Sequence, residues 1–334
     1  MTKKNIVFLS YGNEPEYLRA IFCILSLSAW LSPKAFSNNF DELKLIIYTD
    51  NPDFFAKHLP AFNIEFVFLS AASLEEMLDN KGFFHRRKVD VIDRTFKRYP
   101  DTDLLFIDTD TFFYADAEKL FSQYEKGTSF MHKREYRLAK AVNIFSVFGQ
   151  EQHPKDFIKL IESRSFTIRS EKVDFTTDDY SWNSGVLGLS KYFAHYMPDV
   201  FRLTDTFYLH SKWFISEQLA FALILQKTTS IESTNDVIAH YWGKRQKALI
   251  DQKIKQLFSE KSPTTLINSK MLRTLTIKWQ NLVANDVILE QAVLSLQQKY
   301  WPYGIKKALQ ILLKEPFNRN IYSQILRAMV TNPT

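Results

Sequence analysis

One cysteine in 334 residues leaves no means of building a disulfide framework, and a chain held together without disulfides fits a reducing compartment. The residue, Cys23, lies in an apolar run with helical spacing. Glycine is scarce, with 8 in the whole chain, and neither G-x-G-x-x-G nor G-x-x-x-x-G-K occurs. A glycine-rich phosphate loop is thereby excluded as the binding device. Long apolar runs are missing too. None approaches the roughly 18 residues needed to cross a bilayer, and the stretch between Lys4 and Tyr11 is too short for a secretory h-region. A cytoplasmic protein is expected. Internal repeats and low-complexity tracts are absent, which sets aside solenoid and disordered classes.

What the chain does have is aromatic mass, 29 Phe and 15 Tyr, enough to fill a large core in one domain or two. Its net charge of +6 is unevenly placed. From Arg245 onward there are 14 Lys and Arg against 5 Asp and Glu, a net +9, which leaves −3 for residues 1–244. A basic helical tail suits an anionic membrane surface or a solvated helix face. No nucleic-acid partner is expected.

Along the chain, apolar runs at Asn5–Ser10, Leu43–Tyr48, Ile64–Leu69 and Leu104–Ile107 read as strands. Between them lie a helix from about Glu16 to Leu31, a helix start with Ser73 and Glu76 as a capping box, and a charged helix from about His85 to Arg98. The order β-α-β-α-β-α-β predicts an α/β fold with a mainly parallel sheet and helices on both faces. A short helix over 117–124 and a strand over 128–132 follow, and residues 140–175 read as mixed helix and loop. The polar Asn183-Ser184-Gly185 reads as a turn beside a buried strand, and Ser216 as the N-cap of a helix running to Leu225. Beyond 245 the pattern is helical, with breaks at Ser262-Pro263 and Trp301-Pro302. Residues 1–244 are read as a catalytic-type domain and 245–334 as a basic helical extension.

The stretch around which the rest is organised is Asp103 to Phe113. A buried strand ends there in two carboxylates, Asp108 and Asp110, spaced i, i+2. Ligands of open α/β sheets gather at the carboxyl ends of strands, and paired carboxylates call for a cation between them. A metal site for a phosphorylated ligand is the expectation.

With Tyr11 and Asn13 after the first strand, Arg86-Arg87-Lys88 before the fourth, Asp108-Thr109-Asp110, Asn183-Ser184-Gly185, Glu217-Gln218, and His240 with Gly243, the chain resembles nucleotide-sugar glycosyltransferases of the GT-A fold. It is most similar to glycosyltransferase family 8, which includes glycogenin and lipopolysaccharide galactosyltransferases. The resemblance spans residues 5–245 and implies Mn(II) or Mg(II) held by Asp108, Asp110 and His240. It also implies a nucleotide-sugar donor, a glycan or lipid-linked acceptor, and retention of anomeric configuration. Tyr11, Asn13, Arg87, Lys88, Asn183 and Lys244 are the candidate donor-binding residues. Glu217, Gln218 and Asp179 are the candidate catalytic residues, with Asp179 or Glu217 as base if the reaction inverts. The family's closing H-x-x-G-x-x-K-P-W is not complete here, so Lys244 and Lys247 both remain open for the phosphate, and Glu217 stands where Asp is usual. Location would be cytoplasmic and peripheral, on the inner face of a membrane.

Two other readings remain. Leu104 to Thr111 also resembles the h-h-h-h-D-x-D-x-T of haloacid dehalogenase-type phosphatases, with Asp108 as nucleophile and Asp110 as acid/base. A non-catalytic nucleotide-sugar-binding protein would keep the same residues without turnover.

Overall fold

A computed structural model describes residues 4–31, 43–121, 124, 127–267 and 269–330. Its first four strands are β1 (Lys4–Leu9), β2 (Leu43–Thr49), β3 (Ile64–Phe68) and β4 (Asp103–Ile107). All four run parallel, in the lateral order β4-β1-β2-β3. Alternate residues serve opposite faces: Ile6, Phe8, Leu45, Ile47, Leu105 and Ile107 enter one core, and Val7, Ile46, Tyr48, Leu104 and Phe106 the other. A strand covered on both sides has no use for polar alternation, which is why these segments read as continuous apolar runs. The helix Glu14–Trp30 covers the first face and the helices Arg86–Arg98 and Ser216–Thr228 the second.

Next come β5 (Thr111–Phe113), β6 (Thr128–Arg137), the hairpin strands β7 (Phe166–Ile168) and β8 (Glu171–Val173), β9 (Tyr180–Leu189), β10 (Ser230–Ser233) and β11 (Ile238–His240). β9 is antiparallel to both β4 and β6, and β10 parallel to β6, giving a seven-stranded sheet in the order β10-β6-β9-β4-β1-β2-β3. The α/β expectation holds: most pairings within this sheet are parallel, and helices flank both faces. β5 leaves this sheet and pairs antiparallel with β11, setting His240 opposite Thr111.

Several local expectations change. Asn183, Ser184 and Gly185 lie inside β9, not in a turn before it, because backbone pairing with β6 and β4 tolerates polar side chains that find partners. The helix expected to start at Ser73 starts at Ala71, and Ser70 is its cap, accepting from the Ser73 amide. Ser216 is the first helical residue and donates its hydroxyl to the Trp213 carbonyl, so it caps nothing. Among the described residues of 117–124 there is a 3₁₀ turn, Glu118–Leu120, in place of the expected short helix, and residues 122 and 123 lie outside the described residues. The strand expected over 128–132 continues to Arg137.

Beyond β11 the helices Lys244–Glu260 and Lys270–Gln297 join the first core through Ile250, Ile254 and Leu272. Trp279 stacks on Phe22 at 4.8 Å. From Ile288 outward a separate apolar cluster unites the long helix with helices Trp301–Lys314 and Arg319–Val330. Among the described residues, no helix is long and apolar enough to cross a membrane.

Candidate metal and donor site

Asp108 follows the end of β4, Asp110 precedes β5, and His240 ends β11. The pairing of β5 with β11 is what brings an imidazole from 130 residues away onto the carboxylates. One ligand atom from each of the three lies within 4.8 Å of the others. His240 Nε2 is 3.1 Å from Asp110 Oδ1, and its Nδ1 is 2.8 Å from Asn183 Oδ1. That second bond fixes the ring: Nδ1–H donates to the amide oxygen and Nε2 is left facing Asp110, the orientation in which metal-ligating histidines are held. Two carboxylates and one imidazole are a donor set that suits a divalent ion. The cluster could hold such an ion.

Lys88 is the buried centre of a second layer. Its ammonium lies 3.0 Å from Asp108 Oδ2, 3.1 Å from Glu217 Oε1, and 3.0 and 3.1 Å from the carbonyl and hydroxyl of Ser184. Burial alone would strip the proton from this amine, yet Asp108 and Glu217 outweigh it and hold Lys88 above its ordinary range. Burial likewise penalises the Glu217 carboxylate, but Lys88 keeps it below the ordinary value and therefore ionised. Asp110 is treated the same way, with burial opposed by His240 and by Lys247, whose ammonium is 2.8 Å away, so that it stays well below the usual carboxylate range.

Gln218 donates to Glu135 at 3.0 Å and to Ser181 at 3.1 Å, and its carbonyl faces the Ser184 amide at 3.3 Å. Glu135, Ser184 and Asn183 thus join Glu217 and Gln218 in one hydrogen-bonded floor. Gly185 has no room for a side chain, because a Cβ there would stand 2.3 Å from His240 Nδ1. The turn between the carboxylates is fastened from outside. Thr109 donates to Glu16 at 2.7 Å, and Glu16 pairs with Arg19, which forks onto Asp251 of the helix Lys244–Glu260 with two contacts of 2.6 Å.

The remaining candidates lie farther out. The Tyr11 hydroxyl accepts from Arg87 at 2.9 Å, while Arg87 Nε donates to the Leu74 carbonyl at 2.8 Å, so these two form the rim beside β1. Asn13 is the N-cap of helix Glu14–Trp30, accepting from the Glu16 amide, and its side chain is thereby occupied. Lys244 is the first residue of its helix, and Lys247, one turn later, is the lysine that reaches Asp110. Asp179 is not part of the cluster: it bonds Lys227 at 2.9 Å and the Thr176 amide at 2.8 Å.

His132, not singled out from sequence, packs edge-on against His240 at 5.2 Å between ring centres. Burial first, and the neighbouring His240 second, push it down to about 3. Below its unfolded value of 6.5 the unfolded chain takes up a proton that the native imidazole refuses, so stability is full above that pH and lost as pH falls toward about 3. From about pH 7 to about pH 5 the loss should be about 2 kcal/mol. Urea midpoints at the two pH values check it, and His132→Gln should flatten the difference.

No protein-family model and no curated protein sequence matches the chain. Its structure is similar to that of mouse xyloside xylosyltransferase 1 in the apo form, at 14% identity and a TM-score of 0.42, over 70% of this chain and 85% of that one. It is similar to the galactosyltransferase LgtC in complex with donor and acceptor sugar analogs, at 11% identity and 0.41, over 77% and 95%. The glycosyltransferase GlyE of Streptococcus pneumoniae TIGR4 aligns at 12% identity and 0.44 over 80% of this chain, which spans 63% of that structure.

Proposed function

We propose that the protein is a metal-dependent glycosyltransferase that moves a sugar from a nucleotide diphosphate sugar, a UDP-sugar in the first instance, to a glycan or lipid-linked acceptor. The reading also places it in the cytoplasm. The observation that carries it is the meeting of Asp108, Asp110 and His240 around one point at the end of the parallel strands. Mn(II) or Mg(II) there would neutralise charge building on the departing diphosphate.

The chain's own residues supply the rest. Lys247 already faces Asp110 and can extend its ammonium to a diphosphate oxygen as a point charge, with Lys244 one turn earlier as an additional cation. Tyr11 and Arg87 offer an aromatic face and a guanidinium on the side of β1, suited to a nucleobase and its phosphates. Glu217, Gln218 and Asn183 form the floor beneath the sugar. Glu217 is held ionised by Lys88 and accepts from Ser184 at 2.7 Å, so it is a poor proton acceptor. An electrostatic role toward a cationic sugar suits it better than general-base work. Asp179, engaged with Lys227, has no such position. Both points favour retention over inversion.

The test is a panel of nucleotide sugars in thermal unfolding, with Mn(II) or with chelator. Ligand at about a hundredfold over its Kd adds about 2.7 kcal/mol of apparent stability. Stabilisation by one UDP-sugar only in the presence of metal is expected. Equal stabilisation in chelator, or release of phosphate from monoesters without nucleotide-sugar binding, overturns the reading.

A further inference from the structure

The last two helices each carry two apolar faces. In Trp301–Lys314, Gly304, Ala308 and Ile311 pack inward, whereas Leu309 and Leu313 are 56% and 83% exposed on another side of the same helix. Arg319–Val330 repeats this, with Ile321, Ile325 and Ala328 buried and Leu326 exposed. In the turn between the helices, Phe317 is 95% exposed. The inward rows account for folding; the outward rows do nothing for it, and so much exposed apolar surface in one region marks a contact. Lys306, one turn before Leu309, and Lys314, next to Leu313, are exposed on the first helix, within a segment of net +9.

The surface also reaches the site. Gln298, just past the end of the long helix, donates to the Val147 carbonyl, and exposed Trp301 and Phe148 follow those two residues in the chain. Phe145, in the same short segment, packs edge-on against Trp213 at 5.1 Å, just ahead of the helix bearing Glu217 and Gln218. On the other side Arg245 binds Gln324 of the last helix at 2.9 Å, two residues from Gly243.

We infer that the outward face of helices Trp301–Lys314 and Arg319–Val330, with Phe317 at its tip, docks on an anionic lipid bilayer. Leucine and phenylalanine enter the acyl boundary while the lysines meet lipid headgroups, a combination of apolar burial and charge that interfacial helices use. The charge complementarity favours a bilayer over a second copy of the chain, whose facing surface would carry the same positive charge. The docking face stands apart from the transferase reading. Only the further consequence, that a lipid-linked acceptor meets Gln218 from the plane of the bilayer, rests on that reading.

Co-sedimentation of the full-length protein with vesicles tests it, using phosphatidylcholine alone and phosphatidylcholine mixed with phosphatidylglycerol. Binding to the mixed vesicles that weakens with salt is expected. Leu313→Glu and Phe317→Ser should each reduce it at least about tenfold, the factor carried by one large apolar side chain leaving hydrocarbon. Both positions are exposed, so unchanged thermal unfolding confirms that the variants fold. No binding to mixed vesicles, or undiminished binding by both variants, overturns the proposal, as does dimerisation of the wild type that both substitutions abolish. Metal-dependent UDP-sugar binding on the same preparations keeps the two readings apart: it should survive both substitutions, and its failure would speak only against the transferase.

Discussion

Asp110→Asn is expected to remove metal-dependent donor binding while leaving the fold in place. The side chain keeps its shape and one carbonyl oxygen but loses the charge that faces His240 and Lys247. Changing a residue that merely supports a metal ligand lowers metal affinity about 10–100-fold, so loss of a ligand carboxylate should lower it by at least about a hundredfold. Lys247 is one-third exposed and can return to water, so the fold is kept although the stability contributed by the paired carboxylate is lost. Calorimetry of Mn(II) and of a UDP-sugar against wild type and variant decides the matter, with circular dichroism as the control for folding. Undiminished donor affinity in the variant would falsify the assignment of Asp110 as a ligand.

Lys88→Met should act in the opposite way, on stability before binding. The ammonium is the shared counter-charge of Asp108 and Glu217, and the Glu217 side chain is only 4% exposed. Removing one partner of a buried ion pair leaves the other charge unsolvated, which costs about 3–5 kcal/mol. Because the Ser184 carbonyl and hydroxyl also lose their donor, the effect belongs at the upper end of that range. Adding Glu217→Gln to Lys88→Met should restore part of the loss, because the residue left behind is then neutral. Urea unfolding in chelator, run as a double-mutant cycle, measures this coupling. Additive effects would mean that the two side chains do not share one electrostatic unit.

How much of this could be read in the sequence depended on distance along the chain. The four parallel strands were legible because each is a local apolar run closed by turn residues, and Asp108 and Asp110 because they end such a run. His240 was reached only through a resemblance in the order of motifs; nothing local to it announces a ligand. Lys247 remained one of two candidates because choosing between it and Lys244 needs the start of a helix to within one residue. Glu135 is not singled out by the sequence, and Ser184 enters only as the middle of Asn183-Ser184-Gly185, with no role of its own. Glu135 reaches Gln218 and Ser181 through the β6–β9 pairing, which shifts register twice, between Met131 and Lys133 and between Arg134 and Tyr136. No local pattern encodes a bulge between strands some fifty residues apart. Ser70 and Ser73 have identical capping chemistry, and the sequence alone does not choose between them. Asn183-Ser184-Gly185 looked like a turn because polar residues in a buried strand are affordable only when their partners are present, and those partners come from other elements.

The small ribbon of β5 and β11 has a consequence for how such a protein can vary. Residues 114–237 leave from Phe113 and return at Ile238, which are paired neighbours. Topologically the excursion is a closed insertion with its two ends clamped together. Lengthening or exchanging parts of it need not separate Asp110 from His240, since extra loop length carries only a logarithmic entropic cost. The Asp110–His240 pair is thus anchored at the base, while Asn183, Glu217 and Gln218 ride on the excursion. A lineage can remodel the excursion while inheriting the Asp110–His240 pair unchanged.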